Sequence, residues 1–319
     1  MGQPKKNEIL IDHNHDGVDR RGFLKCMAWA GTGALCVMQG GVLKSYALPE
    51  AAKKKITGEL SFVQISDSHM GFNKPANPDV AATLQVALDR IKALPQPPEF
   101  MLHTGDVSQL SKPEQFDTVA QMVKGTPGQD IFYVPGEHDV LDDNGKGFHE
   151  RFGKDSKGDG WYSFDKKGVH FIGLVNVMNL KSGGLGALGN EQLEWLEDDV
   201  KHLSHSTPIV VFAHIPLWTV YEDWGWGTQD SAQALAYLKR FGSVTVLNGH
   251  IHQIVSKVEG NITFHTARST AYPQPTAGNG PGPMPLKVAS DQLASMLGVT
   301  SIKISRHPLK ATLSDSTLV

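Results

Sequence analysis

Five short clusters of residues in this 319-residue chain combine the side chains that hold metal ions. They are Asp67-Ser68-His69, Gly105-Asp106, Gly136-Glu137-His138-Asp139, the lone His214, and Gly249-His250-Ile251-His252. Fourteen histidines are many for this length, and five of them fall in these clusters. A carboxylate beside a glycine turn can offer both oxygens, so Asp106 could bridge two cations while the other clusters supply one or two ligands each. Two cations roughly 3.5–4 Å apart are a recurrent device for displacement at phosphorus, because they clamp the attacking and the leaving oxygens together. Imidazole with carboxylate suits manganese, iron or zinc, and the lack of thiolates argues against a closed structural zinc site.

Each cluster follows an apolar run of strand length. Leu60–Ser66 leads to Asp67 and His69, and Phe100–His103 to Asp106. Ile131–Val134 leads to Glu137, Ile209–Ala213 to His214, and Val244–Leu247 to Gly249. Between them lie helical patterns. Asp79 caps one carrying Val80, Leu84, Leu88 and Ile91 on one face; a second covers Pro113 to Val123. A third, with Asn190 as its cap, carries Leu193, Leu196, Val200 and Leu203, and a fourth runs from Thr228 to Phe241. Strands alternating with helices, with polar residues at each strand's end, predict an α/β fold whose site lies outside the carboxyl ends of its strands. Trp161–Phe164 and Val169–Val175 read as paired strands, as do Ile254–Val258 with Ile262–Thr266, and Val299–Ile304 with Lys310–Leu313. The stretches Asp142–Gly160 and Tyr272–Pro285 read as surface loops.

Taken together and in this order, the clusters resemble the calcineurin-like metallophosphoesterases, whose pattern is Asp-x-His, Gly-Asp, Gly-Asn-His-Asp/Glu, His, Gly-His-x-His. The resemblance runs from about Leu60 to His252 and is nearest the bacterial cyclic-nucleotide phosphodiesterase branch. It implies a layered sandwich of two mixed β-sheets flanked by helices. It also implies one metal on Asp67, His69, Asp106 and His252, and a second on Asp106, Glu137, His214 and His250. A hydroxide bridging the metals would attack a phosphate mono- or diester. His138 would act as the acid, with Asp139 holding its ring. Glu137 is the one departure, standing where the pattern has asparagine. Three ligand carboxylates and a hydroxide bring two divalent ions to a net charge of about zero, so the count favours ferric iron at one site. A non-catalytic binding protein on the same fold is the rival reading.

Composition limits the rest. The chain is 40% hydrophobic and 20% charged, which is globular, and its net charge of −3 gives no broad electrostatic attraction to nucleic acid. Its only two cysteines, Cys26 and Cys36, argue against a disulfide framework. Asp19-Arg20-Arg21-Gly22-Phe23-Leu24-Lys25 precedes an uncharged run from Cys26 to Leu43, then Ser45-Tyr46-Ala47. That arrangement resembles a twin-arginine export signal over residues 1–47, ahead of a catalytic domain over 48–319. The implied partners are the twin-arginine translocase and a small phosphate ester, in a periplasmic or secreted setting. No later run is long enough to span a bilayer. His103, His170 and His265 read as hydrogen-bonded strand residues, and His149, His202, His205 and His307 as solvated. Trp218, Trp224 and Trp226 either stack a substrate or pack their loop down.

Overall fold

The computed structural model describes residues 59–128, 130–306 and 309–319. Ahead of these it gives only the backbone of three short strands, Ile9–Ile11, Ala34–Gln39 and Val42–Ala47. Arg20 and Arg21 of the expected export signal, and His307, lie outside the described residues.

Two mixed sheets stack face to face. The first takes strands β1 (Leu60–Ile65), β2 (Met101–His103) and β3 (Ile131–Tyr133), all parallel, with the antiparallel pair β10 (Gly298–Arg306) and β11 (Leu309–Thr317) on the far side of β1. In the second, β5 (Val169–Gly173), β6 (Ile209–Phe212), β7 (Val244–Asn248) and β9 (Ile262–Thr266) run parallel. Strands β4 (Tyr162–Lys166) and β8 (Ser256–Glu259) are its antiparallel edges. Period-two alternation decides which side chains face which layer. Leu60, Phe62, Phe100 and Leu102 meet Phe171, Val210, Phe212 and Leu247 between the sheets. Phe100 stacks on Phe62 at 4.8 Å and meets Phe171 edge-on at 5.3 Å. On the outer face of the first sheet, Val63, Ile65 and Met101 pack under α1 (Val80–Lys92) and α2 (Pro113–Val123). On the second, Ile172, Val211 and Val246 pack under α4 (Asn190–Val200) and α5 (Ser231–Leu238). The two mixed sheets flanked by helices are the architecture that the family resemblance implies.

Several elements differ in detail. Asp79 does cap α1, accepting from Ala82 N at 3.0 Å. Asn190 is instead the first residue of α4; Gly189 precedes it, and Asp230 accepts the free N–H groups of Leu188 and Gly189. The stretch 142–160 contains a helix, α3 (Lys146–Phe152), held by Phe148 and Phe152 against Phe116 and Tyr133. The fourth helix is shorter than its pattern because the Thr228 hydroxyl is bound to Pro216 O and Asn176. A further helix, α6 (Ser290–Met296), has no strong sequence signal.

The strand histidines are hydrogen-bonded as expected. His103 meets Ser68 Oγ at 2.7 Å, and His265 lies between Ser256 Oγ (2.8 Å) and Asp315 (3.0 Å). His149 is half-buried rather than solvated, because it packs beneath Gly160. His170 sits between Asp165 (3.0 Å) and Asp199 (2.8 Å), tying β5 to α4. Burial lowers the His170 pKa, but the two carboxylates outweigh burial and raise it. The stabilisation is therefore fully present below the ordinary imidazole value and is lost as pH rises through the raised one. Denaturant midpoints should show His170→Gln weaker than the parent at pH 6, with the gap closing by pH 9. A gap that is equal at both values would mean that the charged pair contributes nothing.

Candidate active site

The parallel strands of both sheets end at one edge of the sandwich, and their C-terminal residues converge there. Asp67 and His69 follow β1, Asp106 follows β2, Glu137 and His138 follow β3, His214 follows β6, and His250 and His252 follow β7. Such convergence needs tight backbone approaches. A Cβ on Gly136 would lie 2.4 Å from Asp106 N, and one on Gly249 would lie 2.0 Å from Ser66 Oγ, so each position demands glycine. Among the described residues nine non-glycine residues have positive φ, and Asp67, His69, Asp106, His250 and His252 are five of them. Each left-handed residue costs about 1–2 kcal/mol. Strain concentrated on these five marks side chains aimed by the fold rather than relaxed in it.

Two donor triads result. Asp67, His69 and His252 present atoms within 4.8 Å of one another, and so do Glu137, His214 and His250. Asp106 stands between them, its Oδ2 lying 3.5 Å from His69 Nε2 and 3.4 Å from His214 Nε2. Within the second triad Glu137 Oε2 is 3.0 Å from His214 Nε2, and Oε1 is 3.0 Å from His250 Nδ1. In the first, His252 Nε2 is 3.3 Å from Asp67 and 3.2 Å from His69 Nε2. Backbone carbonyls fix two tautomers: His214 Nδ1 donates to Thr104 O at 2.7 Å, and His252 Nδ1 to Tyr272 O at 2.5 Å. In the neutral ring so held, Nε2 turns its lone pair towards the cluster; burial lowers the His214 pKa, but Asp106 and Glu137 outweigh it and raise it well above the ordinary value. Glu137 Oε2, His214 Nε2 and His250 Nδ1 are buried without a hydrogen bond of acceptable geometry. Orphaned donors of these types, converging from two sides on one carboxylate, fit metal ions.

The electrostatics agree. Burial alone would raise the carboxylate pKa values, yet the surrounding imidazoles, His252 foremost for Asp67 and His250 foremost for Glu137, hold both below the ordinary range. Burial pushes His69 down to about 3 and His103 to about 4, so both rings are neutral at pH 7. His138 behaves differently. Burial lowers its pKa, but Asp106 and Glu137 outweigh that and raise it. Its Nδ1 donates to Gln109 O at 2.8 Å, its backbone N–H donates to Asp106 Oδ1 at 2.9 Å, and its ring lies 4.8 Å from that of His69.

Asp139 does not hold the His138 ring. Its carboxylate accepts Val107 N and Gly136 N on one oxygen, and Ser108 N and Oγ on the other. It is a tie between the loop after β2 and the loop after β3, while the Gln109 carbonyl orients the His138 ring. Burial pushes Asp139 up to about 7 against those four donors. The three tryptophans pack their loop: Trp218 lies against Phe264 at 4.9 Å, and Trp226 is buried beside Trp224 at 5.1 Å.

The calcineurin-like phosphoesterase pattern matches residues 60–254, the span from β1 to just past His252. The chain belongs to the calcineurin-like phosphoesterase family. It is accordingly a metal-dependent phosphoric ester hydrolase, and the non-catalytic reading falls away. A 3′,5′-cyclic-nucleotide phosphodiesterase from Nostoc is 25% identical over 67% of this chain and 79% of that protein. A probable glycerophosphodiester phosphodiesterase from Arcobacter nitrofigilis is 24% identical over 66% and 78%. Among solved structures, a dimetal phosphatase from Danio rerio shares the fold at a TM-score of 0.56, with 14% identity over 80% of this chain and 98% of its own. A purple acid phosphatase from yellow lupin does so at 0.59, with 12% identity over 82% and 52%.

Sequence reasoning missed the layer behind the ligands of this phosphoesterase. Gln64 donates to Thr104 Oγ1 (3.0 Å) and to Asn248 O (3.1 Å), joining the two sheets directly beneath the site. Tyr272 stacks on His69 at 4.7 Å and lies 4.8 Å from the His252 ring. Gln64 reads as an ordinary polar strand residue, and Tyr272 as the start of a loop; only the buried face of β1 next to Thr104 hinted at the first. Replacing Asp139 by Asn turns an amide group towards N–H donors and should lower stability by about 1–3 kcal/mol. Because the carboxylate does not touch the His138 ring, the pH dependence of the remaining activity should keep its shape. A shifted alkaline limb in Asp139→Asn would restore Asp139 as the partner of the acid.

Proposed function

We propose that this chain is an exported phosphodiesterase that cleaves small phosphate esters at a dinuclear metal centre. The observation that carries this reading is the position of Asp106 Oδ2, nearly equidistant from one imidazole of each donor triad. Asp67, His69 and His252 would hold one cation, Glu137, His214 and His250 the other, and Asp106 would be shared. Bound there, two divalent cations supply a nucleophile near neutral pH, bringing the pKa of water to about 7, and neutralise the ester's oxygens. The names of the two relatives, which act on cyclic nucleotides and glycerophosphodiesters, favour diesters over monoesters. Manganese, iron and zinc all suit the donor set.

The chain's own residues do the rest. His138 carries the proton for the leaving alkoxide. Gln109 O fixes its Nδ1–H, so Nε2 is the nitrogen that gives the proton up. Burial of Asp67, Asp106 and His214 keeps bulk water from screening the phosphate charge. Asp106→Asn should lose metal and reduce turnover by orders of magnitude, with the circular dichroism of the fold unchanged. His138→Ala should keep its metal and lose about 10²–10⁴-fold on alkyl esters, but far less on nitrophenyl esters, whose leaving groups need no acid. Equal losses on both ester types would remove His138 from that role.

Export rests on the leader sequence. The pair Arg20-Arg21, followed by Phe23-Leu24-Lys25 and an uncharged run, supports the twin-arginine route, which carries folded protein. Among the described residues no helix is long and apolar enough to cross a membrane. Changing Arg20 and Arg21 to Lys together should leave precursor inside the cell, and the exported parent should begin near Leu48. Undiminished periplasmic activity of the double variant would reject this route.

A further inference from the structure

The two donor sets are alike in more than number. Each has one terminal carboxylate, Asp67 on one side and Glu137 on the other, and both share Asp106. In each, one imidazole has its tautomer locked by a backbone carbonyl: His252 by Tyr272 O and His214 by Thr104 O. The second imidazoles differ in the nitrogen they offer: His69 turns Nε2 towards the shared Asp106, whereas His250 turns Nδ1 towards Glu137. The shared oxygen of Asp106 lies at 3.5 Å and 3.4 Å from one ring of each set. The differences between the sets oppose one another. Glu137 is the more exposed, its side chain 24% accessible against 0% for Asp67, so solvent screens it more. Asp67, however, accepts the backbone N–H of His250 at 3.1 and 3.3 Å, which takes up part of its charge. No backbone N–H bonds to Glu137 Oε2, which is left for a cation.

We propose that the two cation sites are matched, that Glu137 is the residue that matches them, and that the centre therefore takes two ions of the same divalent metal. The inference rests on the dinuclear reading above. A charge count alone favours ferric iron in one site. Selecting a trivalent ion for one site and a divalent ion for the other, however, requires donor sets that differ in hardness or charge. Here each offers two imidazole nitrogens, one terminal carboxylate and half of a bridge, so neither donor type nor formal charge discriminates. With a neutral amide at position 137 the second site would lose one negative charge and the match with it.

The test measures each site alone, which removes the repulsion between neighbouring cations. The full chain is stripped with chelator and titrated with Mn²⁺ by calorimetry, as Glu137→Ala and as Asp67→Ala, with circular dichroism confirming that each variant is folded. Glu137→Ala leaves the Asp67, His69 and His252 set; Asp67→Ala leaves the Glu137, His214 and His250 set. Matched sites give one retained ion per chain in both variants, with dissociation constants agreeing within about threefold. A gap of about tenfold or more, which is about 1.4 kcal/mol, overturns the match. So does a folded variant that binds no ion. Should Asp67→Ala fail to fold, the parent decides: offered equimolar Mn²⁺ and Zn²⁺, it should take up two ions of one element. One ion of each would overturn the proposal. A parent that never binds more than a single ion would instead reject the dinuclear reading beneath it.

Discussion

Three carboxylates, Asp67, Asp106 and Glu137, are held together at the end of the sandwich with no lysine or arginine among their ion-pair partners in the described residues. Burying one unpaired carboxylate is already expensive, and three in mutual contact would expel one another or take up protons. The fold answers with imidazoles: protonated rings offset the carboxylate charge, and in neutral rings whose Nδ1 is held by Thr104 O or Tyr272 O the Nε2 lone pair faces the same place. The arrangement fits cations. Strand order, glycine placement and left-handed residues at the site together bring these side chains to one point.

The surrounding layers show how the geometry is kept. Asp139 ties the loop after β2 to the loop after β3 with hydrogen bonds from Val107, Ser108 and Gly136. Gln64 reaches across from the first sheet to Asn248 O in the second. Since ligands come from both sheets, any sliding between them would open the site, and these buried bonds resist that motion. The aromatic stack of Phe62, Phe100 and Phe171 does the same further down, at the centre of the sandwich.

Much of this was legible in the sequence because the chemistry sits at strand ends. A run such as Phe100–His103 followed by Gly105-Asp106 declares a strand, its stop and its cargo within a few residues. An α/β fold followed from the alternation of such runs with amphipathic helices, and the layered sandwich from the family resemblance. What stayed hidden depends on contacts distant in sequence. The orientation of His138 by Gln109 rather than Asp139 cannot be read from adjacency, since neighbouring side chains point different ways on a tight turn. The helix Lys146–Phe152 was obscured by its glycines and charges, and Phe148 and Phe152, four residues apart, were the only periodic signal. Which donor atoms of the two sets face one another is a property of atoms in space, beyond the reach of a charge count taken from the sequence.

The central claim is that Asp106 bridges two cations, each held by its own triad. An anomalous difference map from crystals of the full chain, recorded at the absorption edge of the bound metal, addresses it without reference to any substrate. The account predicts two peaks about 3.5–4 Å apart on either side of the Asp106 carboxylate. One would lie against Asp67, His69 and His252, the other against Glu137, His214 and His250. A single peak, or density at neither triad in metal-replete protein, would contradict it.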